Sequence, residues 1–272
     1  MRAEKHTITI DDVPIFYRSA PASGGDVTPV FLHTAPTSSD DWVGALKVTG
    51  GLAPDLIGFG RSAKGGHLDY SPLGISRFVE ALLDTLAVPH VDLVAHGWGA
   101  AVAVALARRR PERVRRLVFI DAAPALGEAR WHRLASLWRR PLVGELLMGA
   151  INRPLLARWL RGASASPQTW PDERVEAVWE QFDQGTQRAT LRLHRWATPD
   201  HVQALAQELR RLERPALILW GERDSWFPPS LAGDWAAAAG ASGFGRIEGA
   251  GHWPWLDRPE VLERIAGFLA DR

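Results

Sequence analysis

Short apolar runs alternate with helical patterns along most of the chain. His6–Ile10 and Pro14–Arg18 read as an opening β-hairpin whose turn is Asp11-Asp12. Val30–His33 is an apolar run that stops abruptly at Thr34-Ala35-Pro36, so it reads as a buried strand. Leu52–Leu56 ends in Pro54-Asp55 and the glycines Gly58 and Gly60, marking a strand end and loop. Pro72–Leu86 sets Leu73, Phe78, Leu82, Leu83 and Leu86 at helical spacing behind Ser71, a side chain suited to capping the first turn. Val91–Ala95 is a strand. Ala100–Arg109 is an Ala-rich helix whose basic end suits its C-terminus and which Pro111 stops. Val114–Ile120, Pro215–Trp220 and Phe244–Ile247 follow as strands, and Pro259–Leu269 is a closing amphipathic helix.

Strands and helices that alternate without hairpins imply a mostly parallel sheet covered on both faces, an α/β fold. The alternation breaks from about Ala125 to Arg214, which holds only amphipathic helical segments, among them Trp131–Trp138, Arg153–Arg161 and Glu173–Phe182. Residues 1–123 and 213–272 are therefore expected to form the α/β core, and 124–212 a helical insertion between two strands of one sheet. Pro167 and Pro171 bracket an expected surface loop.

Composition narrows the chemistry. A net charge of +1 gives no field for recruiting nucleic acid or an acidic membrane. Cysteine is absent, which excludes disulfides, thiolate metal sites and a cysteine nucleophile. No apolar leader or long apolar run occurs, so the expectation is a cytoplasmic protein acting on a small molecule, with oligomeric state left open. No motif asks for a cofactor or a metal. Tryptophan is unusual, at 13 against 2 tyrosines, and points to an aromatic-walled pocket.

Three segments carry the chemistry. In Val91-Asp92-Leu93-Val94-Ala95-His96-Gly97-Trp98-Gly99-Ala100 a strand turns into a helix around small residues. It resembles the nucleophile elbow of the α/β-hydrolase fold family, in a variant found in esterases, epoxide hydrolases and haloalkane dehalogenases. The nucleophile position falls on Gly97, which has no side chain to attack with. Phe31-Leu32-His33-Thr34-Ala35-Pro36 resembles the loop that donates one oxyanion amide. The resemblance implies Ala35 N–H and Trp98 N–H as the oxyanion donors. Haloalkane dehalogenases usually carry an asparagine where Ala35 stands, so a halide site here lacks one ligand while Trp98 matches the other.

Leu219-Trp220-Gly221-Glu222-Arg223-Asp224 and Ile247-Glu248-Gly249-Ala250-Gly251-His252-Trp253-Pro254 resemble the loops bearing the family's acid and histidine. The implied order is Gly97, Asp224, His252, with Asp121 as the fallback acid. Asp55–Ser62 matches a further family signature of structural character. The resemblance spans nearly the whole core and implies an α/β-hydrolase fold with a helical cap at 124–212. It also makes His33, His96 and Trp253 candidate pocket residues, although His33 and His96, set against the strand ends, read as side chains that pack or orient loops before they read as pocket residues. Ser38 and Ser39 read as helix-capping residues before stand-in nucleophiles, and Asp40-Asp41 as a helix start anchored by Trp42. Arg130, Arg133, Arg139 and Arg140 read as solvated faces. The cap contains no tyrosine, which argues against epoxide hydrolysis by a cap tyrosine pair.

Gly97 leaves three readings open. The chain is a nucleophile knockout of a serine or aspartate hydrolase, or an enzyme that uses His252 and Asp224 as a base alone, or a small-molecule binder.

Overall fold

The computed structural model describes residues 3–22, 26–124, 126 and 132–271. Eight strands form one sheet: β1 (Glu4–Ile10), β2 (Val13–Ala20), β3 (Val27–Leu32), β4 (Gly51–Pro54), β5 (His90–His96), β6 (Val114–Ile120), β7 (Ala216–Gly221) and β8 (Gly243–Ile247). Their spatial order is β1-β2-β4-β3-β5-β6-β7-β8. β1 and β2 form an antiparallel hairpin, β2 pairs antiparallel with β4, and every later pairing is parallel. Asp11 and Asp12 both take positive φ, 49° and 61°, the left-handed pair that a tight hairpin turn needs. The α/β class and the mostly parallel sheet expected from the pattern are what the chain adopts. Central strands β5, β6 and β7 are almost wholly buried, as crossover connections on both faces require.

The helices are α1 (Val43–Thr49), α2 (Pro72–Thr85), α3 (Trp98–Arg109), α4 (Arg133–Trp138), α5 (Val143–Gly149), α6 (Arg153–Ala163), α7 (Asp172–Trp179), α8 (Gln184–Trp196), α9 (Pro199–Arg211), α10 (Leu231–Ala239), α11 (Pro254–Asp257) and α12 (Val261–Ala270). Ser71 caps α2 by accepting the Gly74 N–H at 3.0 Å. Ser38 likewise caps the short turn Ser39–Trp42. Helix α3 begins two residues earlier than its alanine run, at Trp98, because the sharp turn at Gly97 already sets helical direction.

The insertion is helical as expected, but not all of it covers the sheet ends. Helix α9 packs against α3 and α10, and its Glu208 pairs with Arg108 of α3 at 2.8 Å. It flanks the core, while Trp138 of α4, Trp159 of α6 and His194 of α8 reach the cavity at the strand ends. Arg139 is not a solvated cation. Its Nη1 donates to the Ala197 and His194 carbonyls at 2.6 and 3.0 Å, ending α8, whereas Arg133 and Arg140 are exposed. Trp131 and Arg130 lie outside the described residues. The stretch between Pro167 and Pro171 is no simple surface loop, because Trp170 within it is fully buried against Trp253. Among the described residues no helix is long and apolar enough to cross a membrane.

Candidate active site

The site forms where β5, β6 and β7 end and the cap folds over them. At the end of β5 the chain reverses through Gly97, with φ 49° and ψ −120°, a backbone that L side chains rarely adopt. Its N–H donates to Ile120 O at 3.0 Å, which ties the turn to β6. Gly99 lies so close to β3 that a Cβ there would meet Leu32 O at 2.5 Å. Strand and helix therefore touch through bare backbone, the geometry that small residues at this spacing permit.

His252 stands in the loop after β8, and Asp224 in the loop after β7. His252 Nδ1 and Asp224 Oδ2 are 2.8 Å apart, both side chains being buried. The second oxygen of Asp224 accepts the Trp226 and Phe227 N–H groups at 2.7 and 3.0 Å, so the carboxylate is held from both sides. Nδ1 is thereby the protonated nitrogen, and Nε2 has no hydrogen bond to any described residue. Asp121, at the end of β6, adds a second carboxyl. It accepts the Gly221 N–H at 2.9 Å and lies beside Asp224. Burial pushes its pKa well above the ordinary carboxylate range, and the Asp224 charge pushes it the same way. Its Oδ2 is buried with no hydrogen-bond partner among the described residues. The ligating atoms of Asp121, Asp224 and His252 lie within 4.8 Å of one another. The 2.8 Å contact between His252 and Asp224 is a hydrogen bond.

The cavity that these groups face is walled by Trp98, Trp138, Trp159, Trp226, Phe227 and Trp253, with Thr34, Ala35, His194 and His252 as its polar members. Trp138 and Trp226 stack at 5.5 Å, and Trp159 closes on both at 5.0 and 5.1 Å. The closed cavity has a volume of about 10 Å³, room for a single water. A larger groove on the cap surface, lined by Glu145, Met148, Arg188 and Arg192, shares no residue with it.

Similarity to known proteins follows the same outline. The family model for the alpha/beta hydrolase fold matches residues 30–259. The chain belongs to the α/β-hydrolase family. A haloalkane dehalogenase of Mesorhizobium japonicum is 30% identical over 98% of this chain and 92% of its own length. Among solved structures, the haloalkane dehalogenase DbeA of Bradyrhizobium elkani is 27% identical with a TM-score of 0.83, covering 98% of both chains. Cfl2 of Burkholderia cenocepacia, 24% identical, covers 100% of this chain and 97% of its own at a TM-score of 0.87 and shares the fold.

The space beside Gly97 is filled. A Cβ built there would meet Thr34 Oγ1 at 2.1 Å and Thr34 Cβ at 2.6 Å. Thr34 Oγ1 also accepts the Trp98 N–H at 3.1 Å, capping α3 in place of the side chain that Gly97 lacks. Trp98 N–H, one of the two expected oxyanion donors, is therefore already engaged. Ala35 N–H has no protein acceptor among the described residues.

Two expected pocket residues are not in the pocket. His33 is fully buried behind the loop, its Nδ1 on Thr34 O and its Nε2 on Leu56 N–H, both at 2.9 Å, and burial lowers its basicity. It holds the loop that carries Thr34. His96 donates Nε2–H to His252 O at 2.7 Å and is kept neutral chiefly by burial. It supports the histidine loop from below. Trp253 does line the cavity, and its indole N–H reaches Asp41 at 3.2 Å. Ser38 and Ser39 are buried away from the cavity. Asp55 accepts the Ser39 and Arg61 N–H groups at 2.7 and 2.8 Å, a structural use of that signature. Sequence reading missed Thr34, His194 and the particular cap tryptophans. The surplus of tryptophan was the signal for the wall, while Thr34 carried none.

Proposed function

We propose that this chain is an enzyme of α/β-hydrolase ancestry that uses His252 as a general base, without a covalent nucleophile at position 97, on a small and mostly apolar substrate. The observation that carries the reading is Thr34 Oγ1 lying 2.1 Å from where a Cβ on residue 97 would stand. Under a single-residue knockout, the parent serine or aspartate would have shared that space with Thr34. Thr34 and Gly97 instead fit each other as a large-for-small exchange, which favours a site built without that nucleophile.

The remaining groups suit proton removal. Asp224 fixes the His252 tautomer and stabilises the imidazolium that forms when Nε2 takes a proton. Asp121 stands beside this pair, its pKa raised chiefly by burial and next by the Asp224 charge, so it adds little negative charge of its own. The tryptophan wall keeps bulk water from competing for the base. A substrate of several heavy atoms enters only when the cap moves outward, because the closed cavity holds one water. Removal of a proton from carbon beside a carbonyl, as in lyase, retro-aldol or cyclisation chemistry, needs only this base and a place for the negative charge.

The test is deuterium uptake from D₂O into a panel of small ketones (acetone, butanone, acetophenone), followed by NMR. The parent protein is expected to exceed the buffer rate, and His252→Ala to return to it. A parent protein at the buffer rate with every ketone, or a His252→Ala variant as fast as the parent, overturns the reading. A parent protein that binds a ketone without exchanging it, with the same affinity in His252→Ala, favours the binding-protein alternative.

A further inference from the structure

From the way Thr34 is bonded, we infer that its hydroxyl is the oxyanion donor of this site, replacing the Trp98 N–H and reaching into the cavity beside His252. The inference rests on the base reading above and narrows the substrate to a carbonyl compound whose oxygen gains charge as His252 takes its proton.

The argument is a count of donors and acceptors. A threonine hydroxyl has one proton to give and two lone pairs. The Trp98 N–H occupies a lone pair at 3.1 Å, which fixes the rotation of the side chain. No described residue accepts the hydroxyl proton, although the side chain is 1% exposed. Thr34 lines the same cavity as His252, so that proton is directed at whatever occupies the cavity. The amide behind the hydroxyl belongs to the first turn of α3, where backbone N–H groups carry the positive end of the helix dipole. A hydroxyl that accepts from such an amide becomes a stronger donor in turn. The oxyanion donor of the elbow has been passed forward by one side chain, into the volume that a nucleophile would fill. Ala35 N–H, without a protein acceptor among the described residues and lining the same cavity, is the second donor.

The step balances without any further reagent. The electron pair of the C–H bond moves to form C=C, the carbonyl π pair moves to oxygen, and the proton goes to His252 Nε2. The enolate oxygen then sits on Thr34 O–H and Ala35 N–H, two donors converging as an oxyanion site requires.

Binding of a preformed oxygen anion tests this without asking for catalysis. Acetate is planar and matches the acetone enolate in size. Titration of the ¹⁵N-labelled protein with acetate, read at the Trp98 and Ala35 amides, is expected to saturate in the parent and in Thr34→Ser. Thr34→Val keeps the packing against Gly97 but has no proton to give, and is expected to bind acetate at least about tenfold more weakly. If Thr34→Val is too unstable to titrate, the parent against Thr34→Ser and Thr34→Ala decides, with serine retained and alanine lost. Equal affinity in the variant lacking the hydroxyl, or no acetate response at these amides in the parent, overturns the inference. Hydroxyl-dependent acetate binding in a protein that fails to exchange ketones would leave the donor standing and remove the base reading instead.

Discussion

The two sides of the candidate site are built differently. On one side the loops after β6, β7 and β8 bring Asp121, Asp224 and His252 together with a 2.8 Å contact and backbone donors behind it. On the other side the turn at Gly97 has a helix and small neighbours but no side chain, and Thr34 occupies the space beside it. Loss of function by drift would be expected to loosen both sides, since a buried carboxylate pair is costly to keep without a use. Here Asp224 is bonded through both oxygens, and Thr34 packs against Gly97. The proposed base-only reading accounts for both sides at once.

The largest expected effect lies on the His252 side. Asp224→Asn offers Nδ1 an amide in place of an acceptor carboxylate and favours the wrong tautomer. Base-dependent ketone exchange should fall by about 10²–10⁴-fold. Asp121→Asn should cost about tenfold or less, because Asp121 makes no hydrogen bond to His252 and an amide oxygen can still accept the Gly221 N–H. Exchange rates of the two variants at one pH separate these roles, and equal losses would mean that both carboxyls orient the histidine.

A smaller effect is expected on the Gly97 side, and it reads as stability. Gly97→Ser places a Cβ 2.1 Å from Thr34 Oγ1 in a backbone with φ 49°. Overpacking and strain together should cost about 4 kcal/mol, lowering Tm by roughly 10 °C. Thr34→Gly alone opens a void and frees the Trp98 N–H. In the double variant the serine has room, so the two losses should be strongly non-additive, with a coupling of about 2 kcal/mol. Thermal unfolding of the four proteins measures it, and additive losses would show that the two residues are not a matched pair.

The contrast also explains what the sequence could and could not tell. The sheet was legible because apolar runs and turn residues are local signals. So were His252 and Asp224, whose loops carry residue patterns that resemble those of known enzymes. Asp121 was visible only as a fallback, since its partnership with Asp224 joins the ends of two neighbouring strands and leaves no trace in spacing. Thr34 was passed over for Ala35 beside it, because its role exists only through contact with Gly97 and Trp98, more than sixty residues away along the chain. His33 and His96 were legible as packing or loop-orienting residues from their place at the strand ends, and both ring nitrogens of His33 and Nε2 of His96 are engaged by backbone groups behind the pocket. The contact of α9 with α3 and α10 left no trace in spacing, because an amphipathic helix does not announce which surface its apolar face will meet.

The smallest effects concern pH and set the cap wall against the core beneath it. His194 of α8 lines the cavity, donates Nδ1–H to Thr190 O at 2.8 Å, and is pushed down to about 4 chiefly by burial. Its folded state favours the neutral ring, so its contribution is complete above about pH 6.5 and is lost as pH falls through 4. Asp41 lies under Trp253 and is pushed up to about 6, again chiefly by burial. Its folded state favours the protonated acid, so its contribution is complete below about pH 4 and is lost as pH rises through 6. Each shift corresponds to at most about 3 kcal/mol, and the two have opposite signs across the same window. Other buried groups titrate nearby, so the informative quantity is the stability of the parent minus that of a variant at each pH. For His194→Gln this difference should shrink as pH falls from 6.5 to 4, while for Asp41→Asn it should grow. Denaturant unfolding at half-unit pH steps resolves both slopes. A flat difference for His194→Gln would mean that the ring reaches water through an opening cap, and a flat one for Asp41→Asn would place that movement in the core below Trp253.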